Sequence, residues 1–256
     1  MALWVRFDDG EAEGFGTLEG AAIRVFSGDL FAGATATQVE LAVGAVRLRA
    51  PVRPSKFIGL WNNSHAVAAA QGFPIPEYPL HFLKAPSSII GPEEAFVAPR
   101  GYSGRVFFEG ELGVVIGRRC SGVSEAEAEA VIFGFTCVND ITAVGLFGEF
   151  PGFEQWARAK GCDGFGPVGP AIATGLDWRG LRVRTLLNGR ERQNYPVTDL
   201  ILPPPRVVSL LSQEMTLEAG DVITCGTSAG VLPMRPGAVV EVVIEGVGVL
   251  RNRYVA

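Results

Sequence analysis

The stretch VFFEGELGVVIG, residues 106–117, decides how this chain is read. Its apolar residues and glycines belong to a buried strand, yet Glu109 and Glu111 stand in its middle. In a strand, residues i and i+2 project from the same face, so the two carboxylates point together, several Å apart. On a solvated face an alternating Glu pair is an ordinary exposed strand. Beside Phe107, Leu112, Val114, Val115 and Ile116, the same pair is costly to desolvate unless protons or a cation compensate.

A second acidic element lies downstream. Asp140 ends the apolar run VIFGFTCVND, residues 131–140, where a carboxylate at the tip of a buried element is well placed to join the pair. Three carboxylates with no histidine or thiolate partner describe a site for a hard cation, Mg²⁺ first, with Mn²⁺ or Ca²⁺ as alternatives. A Mg²⁺ held this way keeps waters, and therefore open positions for a substrate.

Composition narrows the rest. The chain has 256 residues, 48% of them hydrophobic, enough for one large domain or a domain with a small companion. Its net charge of −5 and the lack of a basic stripe argue against nucleic acid as a partner. The longest strongly apolar stretch, Ala130–Val138, is too short for a bilayer core of about 30 Å, and MALWVRFDDG lacks the apolar segment of a signal peptide. A cytoplasmic protein without membrane attachment is expected. Four cysteines, at 120, 137, 162 and 225, form no C-x-x-C pair and read as reduced, mostly buried thiols. With only His65 and His81 in the chain, a three-histidine zinc site is excluded.

Residues 1–50 read as short strands with turns at Asp9-Gly10 and Glu19-Gly20, a small N-terminal β subdomain. PVRPSK, residues 51–56, reads as a linker, and a catalytic domain is expected over 51–256. Residues 62–80, NNSHAVAAAQGFPIPEYPL, predict one or two helical turns followed by a proline-punctuated flap. Ser124 and Glu127 form a capping box, so a helix is predicted over 125–133. After residue 170 strands dominate, with Asn188-Gly189 as a hairpin turn and VVEVVIEGVGVL alternating at period two. GFGPVG, residues 164–169, fits a dinucleotide-binding pattern, but Pro167 and Pro170 obstruct the helix it needs, and a loop near the site is predicted instead. The fold class is therefore mainly β, of the α+β kind.

FIGLWNNSHA, HFLKAPSSIIGP, EGELGVVIG, CVNDITA, WARAKGCDGFGPVGP, LLNGRERQ, LEAGDVITCGTSAG and PGAVVEVVIEGVGVLRN occur in this order. On these pieces, over residues 51–256, the chain resembles the fumarylacetoacetate hydrolase family. The resemblance implies a mixed β-roll catalytic domain, usually in a homodimer, with Mg²⁺ held by Glu109, Glu111 and Asp140. It implies that His65 acts through water as general base from a flexible lid, and that Lys84 and Lys160 line the site and stabilise enolate charge. It also implies that Thr227, in a Gly-rich turn, binds the substrate carboxylate. By their residues alone, the two lysines would read as surface residues, His65 as a helix N-terminal residue and Thr227 as part of a tight turn.

The departures from the family pattern concern the substrate end. Trp61-Asn62 replaces an Asn-Tyr, Ala68 stands where a Glu often partners the lid histidine, and Val144 and Phe147 replace an Arg and a Gln. Glu77 is an alternative partner for His65. The expected activity is Mg²⁺-dependent hydrolysis of a carbon–carbon bond in a 2-keto or 2,4-diketo acid. The alternatives are oxaloacetate decarboxylation, or isomerisation or decarboxylation of a 2-hydroxydienoate.

Overall fold

The computed structural model describes residues 1–256. Gly110–Ile116 is a strand buried along its whole length. It pairs antiparallel with Ile132–Asn139 on one side and Val222–Thr224 on the other, so its backbone polar groups are satisfied without water. Leu112, Val114 and Ile116 face one way, into the largest core, where they join Val242 and Ile244 of a second sheet and Leu211 of the helix Pro204–Glu214. Each such fully buried aliphatic side chain contributes about 1.5–3 kcal/mol. Glu109 and Glu111 project the other way.

The main sheet extends from this centre in both directions. Ile132–Asn139 pairs with Gly166–Thr174, which pairs with Ala2–Asp8 and so with the meander Glu13–Glu19, Ala22–Ser27 and Thr35–Ala42. Residues 2–49 are thus continuous with the main sheet through the register Ala2 to Thr174, Leu3 to Ala173 and Trp4 to Ile172. On the far side Val222–Thr224 runs parallel to Phe57–Trp61, which pairs with the edge strand Leu80–Lys84. A second sheet, ordered Arg190–Pro196, Arg182–Leu187, Val239–Ile244, Gly248–Tyr254 and Ala95–Phe96, completes a mixed β-roll. Gly110 sits where the two sheets approach, since a Cβ there would lie 1.9 Å from Thr185 Oγ1. This is why the acidic pair is spaced by glycine.

The Asn188-Gly189 turn joins Arg182–Leu187 to Arg190–Pro196, both residues at positive φ (52° and 73°) as the hairpin signal requires. Three local expectations are corrected. The helix predicted over 125–133 spans only Glu125–Ala128 plus a single 3₁₀ turn to Val131, because Ile132 and Phe133 are taken into the strand beside Gly110–Ile116. GFGPVG is a turn only at its start: Gly164 and Phe165 precede the central strand Gly166–Thr174, and Pro170 is tolerated where the register with Ile132–Asn139 slips. Pro204–Glu214 is a helix within the region read as strands. Pro204 and Pro205 occupy its first turn, where no intrahelical N–H is needed.

Candidate metal centre

Oxygens of Glu109, Glu111 and Asp140 lie within 4.8 Å of one another. Neighbouring backbone and hydroxyls hold the two glutamate carboxylates in place. Glu109 precedes the central strand, its N–H donating to Asn139 Oδ1 (3.0 Å) and its carbonyl accepting from the Asp140 N–H (2.8 Å). Its Oε1 accepts from Thr142 Oγ1 at 2.6 Å. Glu111 Oε2 accepts from Thr224 Oγ1 (2.5 Å) and the Gly226 N–H (2.7 Å), both from the Val222–Thr224 strand and the turn after it. Asp140 follows the strand Ile132–Asn139, which brings it beside the pair.

Two lysines close the base. Lys84 Nζ donates to Asp140 Oδ1 (2.6 Å) and to the Lys160 carbonyl. Lys160 Nζ donates to Asp140 Oδ2 (2.5 Å) and Glu109 Oε2 (2.9 Å). Lys84, Glu111 and Asp140 are fully buried, and Lys160 nearly so. Burial, reinforced by Asp140 and Glu109, pushes the Glu111 carboxyl well above the usual carboxylate range. Burial raises Glu109 as well, against the pull of Lys160. Burial also works to raise Asp140, but Lys160 and Lys84 together hold it below its ordinary value. Burial lowers Lys84, while Lys160 stays above its ordinary value because Asp140, Glu109 and Glu111 outweigh its burial.

These residues fit a divalent cation. Glu111 Oε1 is buried with no hydrogen-bond partner, an acceptor free for a ligand. The donors are all hard oxygens. With every group ionised, three carboxylates and two ammoniums leave one negative charge, which a divalent cation converts to one positive charge, suited to an anionic substrate.

The remaining expected residues divide in two. Lys160 and Thr227, with Glu109 and Thr142, line a cavity of about 190 Å³. Thr227 Oγ1 donates to the Gly110 carbonyl (3.0 Å) and accepts from Gln193 Nε2 (2.8 Å), so its hydroxyl must turn off Gly110 to serve a substrate. Lys84 lies beneath the cavity, at the back of Asp140. His65 is the first residue of the flap helix His65–Gln71, exposed and outside the cavity lining. Ala68 is the buried residue of that helix, and Glu77 is exposed in the flap with no hydrogen bond to His65. Val144 and Phe147 both lie on the cavity wall.

Sequence reading missed Thr142 and Thr224, which hold the glutamates, and Gln193, which holds the Gly110 backbone and Thr227. Gln193 accepts from the Gly110 N–H (3.0 Å) and donates to Thr227 and to the Ser228 carbonyl (2.8 Å each). Thr142, two residues after Asp140, was detectable by that spacing; Gln193 and Thr224 come together only through sheet packing. Of the free cysteines, 120, 137 and 225 are buried, and burial pushes the Cys137 thiol up to about 12.

Residues 56–255 match the model of the fumarylacetoacetate hydrolase C-terminal family, and residues 3–51 match a family of N-terminal segments described as Rv2993c-like. The chain belongs to the fumarylacetoacetate hydrolase family. Its relatives within this family and fold carry several activities. An oxaloacetate tautomerase of Bacillus subtilis is 34% identical over 226 residues, covering 82% of this chain and 74% of that protein. The crystal structure of a 2-hydroxyhepta-2,4-diene-1,7-dioate isomerase from Mycobacterium marinum superposes with a TM-score of 0.91 at 35% identity, over 100% of this chain and 98% of that one. A maleylpyruvate hydrolase from Sphingobium, solved with manganese(II) and pyruvate, gives 0.82 at 28% identity, over 100% of this chain and 99% of that one. No helix of this chain is long and apolar enough to cross a membrane.

Proposed function

We propose that this chain is a metal-dependent enzyme that breaks a carbon–carbon bond of a 2-oxo or 2,4-dioxo acid by hydrolysis, with Glu109, Glu111 and Asp140 as the ligands of Mg²⁺, or of Mn²⁺ or Ca²⁺ in its place. The observation that carries this reading is the buried carboxylate triad with Glu111 Oε1 unpartnered, at the floor of a cavity that also presents Lys160. A cation bound there supplies Lewis acidity to the 2-oxo and carboxylate oxygens, so charge developing on the 2-oxo oxygen is stabilised when the bond breaks. Lys160, fixed by Glu109 and Asp140, adds a preorganised positive charge facing the cavity. Lys84 holds Asp140 in its ligating orientation from behind. Thr227 receives the substrate carboxylate once its hydroxyl turns off Gly110.

His65 takes the proton of the attacking water, a role that requires the flap to bring it from its exposed position to the cavity. That position also favours a second reading. Proton transfer between keto and enol forms, or loss of CO₂, needs the stabilised enolate without an activated water, and an exposed His65 with no carboxylate partner suits that chemistry. A small 2-oxo acid is the partner in either case, and the reading includes a cytoplasmic homodimer, checked by sedimentation. Turnover of acylpyruvates and oxaloacetate with Mg²⁺ in ¹⁸O-water tests it. Hydrolysis puts label in the product acid, and enolate chemistry alone does not. Turnover that persists after chelation overturns both readings.

A further inference from the structure

The cavity above the metal centre has one polar end and one apolar end, and the two meet at Phe82. Lys160 Nζ lies 5.1 Å from the centre of the Phe82 ring. From there an aromatic arc runs outward: Phe82 stacks on Trp156 (5.3 Å between centroids), and Trp156 meets Phe147 edge-on (4.6 Å) and Trp61 (6.1 Å). Trp61 in turn meets Phe73 of the flap at 5.2 Å. All five rings line the cavity. They are not a finished core, because Trp61 is 41% exposed and Phe73 37%, apolar surface that gains by being covered. Val144 extends the same wall.

The lining contains a single basic side chain, Lys160, and Glu109 and Asp140 already engage it. No basic side chain lines the aromatic end of the cavity, and desolvating an unpaired carboxylate against these rings is costly. We infer that this site takes a 2-oxo acid whose far end is neutral and apolar, an alkyl, acyl or aryl group, and rejects acids with a second carboxylate there. The volume, about 190 Å³, is below the roughly 300–1,000 Å³ of sites for drug-sized ligands, so the group is short. This inference rests on the proposed 2-oxo acid chemistry and specifies its substrate.

Tryptophan fluorescence tests it on the intact protein, because Trp61 and Trp156 line the cavity and report occupancy without turnover. With Mg²⁺ present, unreactive 2-oxo acids are titrated from pyruvate through 2-oxobutanoate to 2-oxohexanoate. Affinity is expected to rise about fourfold per added methylene, the value of burying one CH₂. The isosteric pair 5-methyl-2-oxohexanoate and 2-oxoglutarate isolates the second charge, and the neutral-ended acid is expected to bind about tenfold tighter or more. Phe147→Arg is expected to narrow or reverse that preference, with retained Mg²⁺ uptake showing that the base is intact. Equal or tighter binding of the dicarboxylate by the unaltered protein overturns the inference while leaving the 2-oxo acid reading in place. If no acid of either series binds with Mg²⁺ present, the 2-oxo acid reading fails and this inference falls with it.

Discussion

The base of the cavity and its rim are built by opposite means. At the base, three carboxylates are held by Thr142, Thr224, the Gly226 N–H and two lysines, and each carboxylate oxygen but Glu111 Oε1 has a partner. At the rim, the flap helix His65–Gln71 stands on a few polar anchors. Ser64 caps it by accepting from the Val67 N–H (3.2 Å), while Asp199 accepts from Ser64 Oγ (2.6 Å) and the Ala66 N–H (3.2 Å). Asn62, in the left-handed region at φ 53°, donates to the Pro74 carbonyl (2.9 Å). The base concentrates three carboxylates against two lysines, and buried packing fixes its geometry. The rim carries apolar surface and a histidine with no partner, and its geometry can change without disturbing the core.

Damage to the base should therefore be severe. Asp140→Ala leaves Lys84 buried without its counter-ion and is expected to cost about 3–5 kcal/mol in chemical denaturation and to abolish metal uptake. Unchanged stability would mean that Lys84 is not relying on Asp140. His65→Ala, a change at the rim, is expected to lower turnover by about 10²–10⁴-fold if water is activated there, with metal affinity unchanged. Full activity with unlabelled product would instead move the chemistry to enolate proton transfer. Thr224→Val removes one hydrogen bond to Glu111 and is expected to weaken metal binding by about 10–100-fold in a calorimetric titration. Ser64→Ala is the mildest: loss of a cap costs about 1 kcal/mol, seen as faster amide exchange in residues 65–71 with none at 110–116.

The same contrast governs what the sequence made legible. Glu109, Glu111 and Asp140 were readable because strand periodicity puts i and i+2 on one face, and because charge among apolar neighbours is costly enough to need a cause. The mixed β-roll and the Asn188-Gly189 hairpin followed from motif order and turn chemistry. Gly166–Thr174 was misread because Pro167 and Pro170 were weighed as breakers, whereas a slipped register accommodates Pro170; the helix Pro204–Glu214 was missed within a region read as strands, although helix first turns accommodate proline. The aromatic arc was illegible: Trp61, Phe73, Phe82, Phe147 and Trp156 share no periodicity and meet only through tertiary packing. Departures at Val144 and Phe147 were visible in the chain, but their common wall was not.

The metal titration of the metal-free protein bears most directly on the central claim. Because burial raises Glu111 and Glu109, protons compete with a divalent ion for these carboxylates, and affinity should fall as pH falls through the raised carboxylate range. Calorimetry in buffers of different ionisation heat is predicted to show one Mg²⁺ or Mn²⁺ per chain, bound with proton release, and no uptake by Glu111→Gln. Absence of uptake by the unaltered protein, or uptake that survives Glu111→Gln unchanged, would contradict the account.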